Sequence, residues 1–103
     1  MKKKEELFRI VLKPPDFNLK ESLEINAYEL AIIILDKIKY GVDNNIDEVN
    51  IAEIVHYNGI ITLKSTKSNY IKVLQTNIET LVKFEDYERC DECKKYIEML
   101  KEI

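Results

Sequence analysis

The sequence predicts a small α+β fold: a three-stranded antiparallel sheet with helices packed on one face, in the order β-α-β-β-α with a C-terminal helical extension. Three observations predict it. A partly alternating, β-branched run, "LFRIVLK", stands near the start. Two β-prone runs flank Asn58-Gly59, the dipeptide preferred at a two-residue hairpin turn. Two stretches, one from Ala27 and one from Ile71, carry aliphatic residues at helical spacing.

The bulk numbers bound the answer. A chain of 103 residues suits a single domain over its whole length, with one modest core. With 46% hydrophobic and 34% charged residues, a long disordered protein is not expected. The net charge of -3 argues against a dedicated, strongly basic nucleic-acid binder but leaves room for a locally positive face. The densest apolar stretch, Leu30 to Leu35, falls far short of the ~18–20 residues of a membrane span. "MKKKEELF" begins basic without an apolar signal region or cleavage site behind it, so a cytoplasmic protein is expected. Two cysteines are too few for a disulfide framework.

The first strand is expected over Leu7 to Lys13, stopped by Pro14-Pro15, which cannot continue a ladder. "PPDFNLKESLEI" reads as irregular, with a candidate extended piece near Ser22 to Ile25. Asn26 then offers an N-cap, and Glu29 the reciprocal half of a capping box. Ala27, Leu30, Ala31, Ile34 and Ile38 share one face of the helix that follows, and Gly41 is expected just past its end as a C′ residue.

A type I′ turn at Asn58-Gly59 fixes a register: Tyr57 opposite Ile60, His56 opposite Ile61, Val55 opposite Thr62, Ile54 opposite Leu63, Glu53 opposite Lys64. Ala52, Ile54, His56, Ile61 and Leu63 then fall on one face. Glu53, Val55, Tyr57, Ile60 and Thr62 fall on the other, with Glu53 and Lys64 as an opposite-charge pair. That second face is part apolar, and an uncovered surface of this kind implies a partner, such as a second copy of the chain.

Ser65, Thr66 and Ser68 offer caps for a second helix, whose apolar stripe is Ile71, Leu74, Ile78, Leu81 and Val82. "YERCDECKKYIEMLKEI" repeats the helical pattern with Cys90, Cys93, Ile97 and Leu100. It either continues the second helix or turns back as a third.

Candidate chemistry is sparse. Cys90 and Cys93 have the spacing of half a tetrahedral zinc site or of a redox pair. Their neighbours Glu85, Asp86, Glu88, Asp91 and Glu92 are acidic, which disfavours a thiolate, so packing on a shared helix face is the favoured reading. His56 is the single histidine and has no nucleophile at a known spacing, so it reads as structural. With glycine only at positions 41 and 59, there is no phosphate loop. No catalytic residue, cofactor or metal ligand is therefore assigned. From Val55 through Ile78 there is no acidic residue, yet Lys64, Lys67 and Lys72 occur, beside the hydrogen-bonding groups of Ser65, Thr66, Ser68, Asn69 and Tyr70. These lysines are candidates for backbone contact with RNA or DNA; the plainer reading is a capped helix start with solubilising lysines.

Over "GIITLKSTKSNYIKVLQTNIETLVKF" the sequence resembles the small dimerising subunit of the KEOPS complex, which makes threonylcarbamoyladenosine on transfer RNA. The likeness lies in the element order and in Lys64-Ser65-Thr66, Ser68, Ile71-Lys72 and Asn77, and spans roughly residues 24 to 84. "EIN" stands where that family has a Phe-Pro-Ser-like start to its first helix, Lys72 stands for an arginine, and Asn77 is offset by one residue. The resemblance implies a non-enzymatic subunit that dimerises and packs against a larger catalytic subunit, with Lys64, Lys67 and Lys72 helping to hold transfer RNA.

The expectation is therefore a non-catalytic assembly module. Tyr70, Ile71, Leu74 and Ile78 are its candidate partner-binding residues. The rival is a small winged-helix or helix-turn-helix DNA-binding regulator, in which "NIAEIVHYNG" is a helix and "TKSNYIKVLQTNIETL" reads the groove, with Lys67, Asn69 and Tyr70 toward the bases.

Overall fold

The structure, a computed structural model, describes residues 7–12, 19–56 and 58–102. Its elements are β1 (Phe8–Val11), α1 (Leu19–Ile25), α2 (Ala27–Asp43), β2 (Glu48–His56), β3 (Gly59–Thr66), a 3-10 turn (Lys67–Asn69), α3 (Tyr70–Lys83) and α4 (Tyr87–Lys101). The α+β class is as the sequence predicts, and so is the order of strands and helices apart from the added helix α1. Pro14-Pro15 and Tyr57 lie outside the described residues.

The sheet has the order β1-β2-β3 and is mixed, where an all-antiparallel sheet was expected. β2 and β3 form the antiparallel hairpin, but β1 runs parallel to β2, pairing Phe8 with Ala52 and Val11 with Val55. The cause is the connection. The crossover through α1 and α2 returns the chain to the same end of the sheet before β2 begins, which is the condition for a parallel neighbour.

The hairpin reverses between His56 and Gly59, and its register differs by two residues from the expected one: Ile54 pairs with Ile61 and Glu53 with Thr62. A two-residue slip leaves the facing of each side chain unchanged, so the sorting into two faces survives. The Glu53–Lys64 pair does not form. Glu53 accepts from Arg9 Nε at 3.1 Å, and Lys64 meets Glu48 at 3.2 Å. Gly59 has φ +140°, a conformation that side-chain-bearing residues rarely adopt. The His56 ring is part of the turn, its Nδ1 accepting from the Asn58 backbone N–H at 3.3 Å. An irregularity between Asn50 and Ala52 shifts the ladder by one residue. It lets Ile51 and Ala52, adjacent in sequence, both turn inward at 6% and 0% exposure.

Residues 19–25 are helical, not extended, because Leu19 and Leu23 stand four apart and Leu23 packs on the core. Asn26 does not cap α2 through its side chain. Its backbone N–H and Nδ2 both donate to the Ser22 carbonyl, at 3.2 and 2.7 Å, so the residue links α1 to α2 with near-helical backbone. Gly41 is inside α2 rather than beyond it. A Cβ there would lie 2.7 Å from Tyr70 Oη and 2.9 Å from Val49 Cγ1, so the glycine is required by close approach. The helix ends instead at Asn44, followed by Asn45 with φ 52°.

The last segment turns back as a separate helix. Glu85, at φ 58°, reverses the chain, and the Asp86 side chain caps α4 by accepting from the Arg89 backbone N–H at 3.2 Å. Three side-chain contacts then tie α4 to α2. Tyr28 Oη donates to Asp86 Oδ2 at 2.6 Å, Lys39 Nζ to Glu92 at 2.7 Å, and Tyr96 Oη to Asp43 at 3.1 Å. The Tyr28 bond and the Arg89 guanidinium hold the Asp86 carboxyl below its ordinary value. A lowered folded-state pKa adds stability that is present above the unfolded value, about 3.9, and is lost as pH falls through the folded value. Acid titration followed by near-ultraviolet circular dichroism is thus expected to show a loss of tyrosine signal below about pH 4 that Asp86→Asn reduces.

Candidate nucleic-acid and partner interface

The inner face of the sheet is covered unevenly. One cross-strand row runs Ile10, Ile54, Ile61, and its exposures are 4%, 2% and 55%. In this row helical cover ends at β2, whereas nearer the C-terminal end of β3 Leu63 packs on the core and Ser65 is buried. On the outer face, Val11, Val55 and Ile60 form a second row, with Val11 and Ile60 each 54% exposed. Among the described residues β3 is an edge strand, with the apolar, β-branched side chains of Ile60 and Ile61 open on its two sides.

Beside the C-terminal half of β3 lies a groove of about 500 Å³ between α2 and α3. Ala27, Leu30, Ala31 and Ile34 of α2 and Val73 of α3 form its apolar floor and wall. Asn69, Thr76, Asn77 and Thr80 supply polar groups, and Lys64, Ser65 and Lys72 stand at the β3 end. The spacing of the α3 members places them on one side of that helix.

The three sequence-nominated lysines divide. Lys64 and Lys72 reach the same groove; Lys67 is turned to Asn45, donating to Oδ1 at 2.9 Å. Lys64 is ion-paired with Glu48. Lys72 is exposed and makes no ion pair with the described residues.

The partner-binding expectation for α3 needs correction. Tyr70 and Leu74 are 0% exposed and belong to the chain's own core, so neither offers a surface. Tyr70 Oη donates to the Ile46 carbonyl at 2.9 Å. Ile71 and Ile78 are partly buried against the same core. The buried stripe of α3 is Tyr70, Leu74, Asn77 and Leu81, one residue out of phase with Ile71 and Ile78. The helix-turn-helix reading fails at its first helix, since residues 50–56 are strand β2, and Tyr70 cannot reach a base edge from the core.

Asn77 is the buried polar residue of α3 that apolar periodicity misses. At 4% exposure it joins three helices: Nδ2 donates to the Ala31 carbonyl at 2.8 Å and lies 3.9 Å from Cys93 Sγ. A polar residue in the middle of an otherwise apolar helical stripe is the signal by which it could be found.

Cys90 and Cys93 are free thiols at 3% and 0% exposure, and burial pushes both thiols up, away from the reactive thiolate. Both pack in the α3–α4 interface. Among the described residues no group of three or more His, Cys, Asp or Glu side chains is placed to hold a metal ion, and no helix is long and apolar enough to cross a membrane.

Comparison finds no family model that matches the chain, no matching curated protein and no matching solved structure.

Proposed function

We propose that the chain is a non-catalytic assembly module whose docking element is the free edge of β3, and that it first pairs with a second copy of itself. The observation that supports this reading is the inner row Ile10–Ile54–Ile61, buried at its first two members and open at the third. An edge strand exposes unpaired backbone N–H and C=O groups, and proteins blunt such edges with proline, bulges or inward charges. β3 has no proline, and its one charged residue, Lys64, stands toward the C-terminal end of the strand. "GIIT" is left as an unprotected template.

Addition of an antiparallel β3 from a second copy would extend the sheet across a two-fold axis. Such an interface is isologous, because the same patch serves both partners. It would also cover Ile60 and Ile61 on opposite faces at once. The resemblance over residues 24 to 84 supplies the wider context within this proposal. The pair would dock on a larger catalytic subunit of a transfer-RNA-modifying assembly, with Lys64 and Lys72 on the side open to RNA.

Light scattering is expected to give a dimer mass for the native chain and a monomer mass for Ile61→Lys, with unchanged circular dichroism. Ile61 is 55% exposed within one chain, so lysine there changes monomer stability by less than about 0.5 kcal/mol. A native chain that stays monomeric at millimolar concentration contradicts the proposal. Affinity purification of the tagged chain, with mass spectrometry of what it retains, tests the wider context.

A further inference from the structure

We infer that Asn58 is a site of spontaneous covalent modification: its side-chain amide is lost to attack by the Gly59 backbone nitrogen, leaving a carboxylate, as aspartate or isoaspartate, at the tip of the β2–β3 hairpin. This does not rest on dimer formation through β3.

The chemistry sets the requirements. The Gly59 nitrogen bonds to Asn58 Cγ and gives its proton to a solvent base. The Cγ–Nδ2 bond breaks, and the amide nitrogen leaves as ammonia. Water then opens the cyclic imide at one of its two carbonyls. Opening at Cγ gives aspartate. Opening at the main-chain carbonyl gives isoaspartate, whose backbone runs through Cβ and Cγ. One water is consumed and one ammonia released, with no change of oxidation state. The reaction needs a side chain free to turn, an unhindered nitrogen after it, and a backbone that can bend into the ring.

Among the described residues, Asn58 is the asparagine that meets all three. Asn26, Asn44, Asn69 and Asn77 each donate through Nδ2 to an oxygen of the chain, at 2.7, 2.9, 3.3 and 2.8 Å. Asn45 Oδ1 accepts from Lys67 at 2.9 Å. Asn50 makes no such bond, but the nitrogen after it belongs to Ile51, β-branched and 6% exposed. Asn58 is exposed, and its side chain makes no hydrogen bond with the described residues. Gly59 has no Cβ to shield its nitrogen, and one added there would meet nothing within 4 Å, so the surface around it is open to water. The Asn58 backbone N–H is tied to His56 Nδ1 by a long bond of 3.3 Å, and hairpin tips open locally at little cost. Isoaspartate adds one carbon to the path between His56 and Gly59, which pair across the turn. The pairs that loosen are therefore His56–Gly59 and Val55–Ile60.

The test is incubation of the full chain in mildly alkaline buffer at body temperature, read by peptide mass mapping. Methyl transfer from S-adenosylmethionine by an isoaspartyl methyltransferase is the probe for isoaspartate. Product at position 58 is expected before product at any other asparagine named above. Its rate is expected to rise with pH, because the attacking nitrogen must lose its proton, and to lie within about tenfold of the rate in the chain unfolded by urea. Asn58→Gln, at an exposed position, is expected to fold normally and to abolish the product, since glutamine would need a six-membered ring. In the modified fraction, separated by anion exchange, ¹⁵N amide shifts are expected at Gly59, Ile60 and Ile61. The inference is overturned if position 58 of the folded chain stays intact while the urea-unfolded chain is converted. Earlier product at another of those asparagines, or methyl transfer that survives Asn58→Gln, overturns it as well.

Discussion

Tyr70→Ala is expected to destabilise the chain by about 3–5 kcal/mol, the range for truncating a fully buried aromatic. The ring is 0% exposed and wedged between the start of α3 and the end of α2, where Gly41 lets it approach. Its hydroxyl satisfies the Ile46 carbonyl in the loop before β2. Truncation therefore opens a cavity and leaves a carbonyl without its partner. A domain of this size has about 5–15 kcal/mol in total, so the variant sits near the edge of folding. Urea denaturation reads the change directly. Tyr70→Phe separates the two contributions: it keeps the ring and is expected to cost about 0.5–1.5 kcal/mol for the lost hydrogen bond. Were Tyr70 a docking residue, the alanine variant would keep its full stability and lose only its partner.

Gly41→Val is the second large effect, expected at about 3 kcal/mol or more. The helix-propensity difference between glycine and valine favours valine by only a few tenths of a kcal/mol. Against it stands overpacking, about 1–3 kcal/mol even for extra methylenes in a core that can adjust. Here the first added carbon already lies within 3 Å of Tyr70 Oη and Val49 Cγ1, and valine adds two more carbons. Neither neighbour yields cheaply, since Val49 is 6% exposed on β2 and Tyr70 is held by its hydrogen bond. The two positions are in contact, so their effects will not add. Gly41→Ala with Tyr70→Phe is expected to recover part of the loss of Gly41→Ala alone, because the nearer of the two close atoms is gone. Thermal unfolding of the four proteins checks this.

The hairpin was legible because two independent signals agreed, the Asn58-Gly59 dipeptide and the sorting of side chains on its flanks. The sorting tolerated an error in the turn position, since a slip by two residues preserves facing. The sense of β1 was not legible. Local alternation says that a strand exists, and the direction of its neighbour is decided by the path of α1 and α2 between them. Gly41 shows a different limit: glycine marks a helix end and a close approach equally well, and only the position of Tyr70 tells which.

The candidate site was half legible. Lys64 and Lys72 stood out through the absence of acidic residues from Val55 through Ile78, and they do share one groove. Of the docking residues expected on α3, Tyr70 and Leu74 face the chain's own core, and Ile71 and Ile78 are partly buried against it. Counting apolar residues gave a stripe of Ile71, Leu74, Ile78, Leu81 and Val82; Leu74 and Leu81 are buried, but the buried face also holds Tyr70 and the polar Asn77, which turns it away from Val82 at 46% exposure. The uncovered end of β3 depends on how far α2 and α3 reach across the sheet, which no local pattern encodes.

Pairing through β3 is tested most directly by NMR on a sample mixing ¹³C,¹⁵N-labelled and unlabelled chains, filtered for contacts between the two. Cross-strand Hα–Hα contacts within residues 59–66 are the expected result, symmetric about one point in the strand. A dimer whose filtered contacts arise from α3 or α4, with none from residues 59–66, would contradict the assignment of β3 as the docking edge.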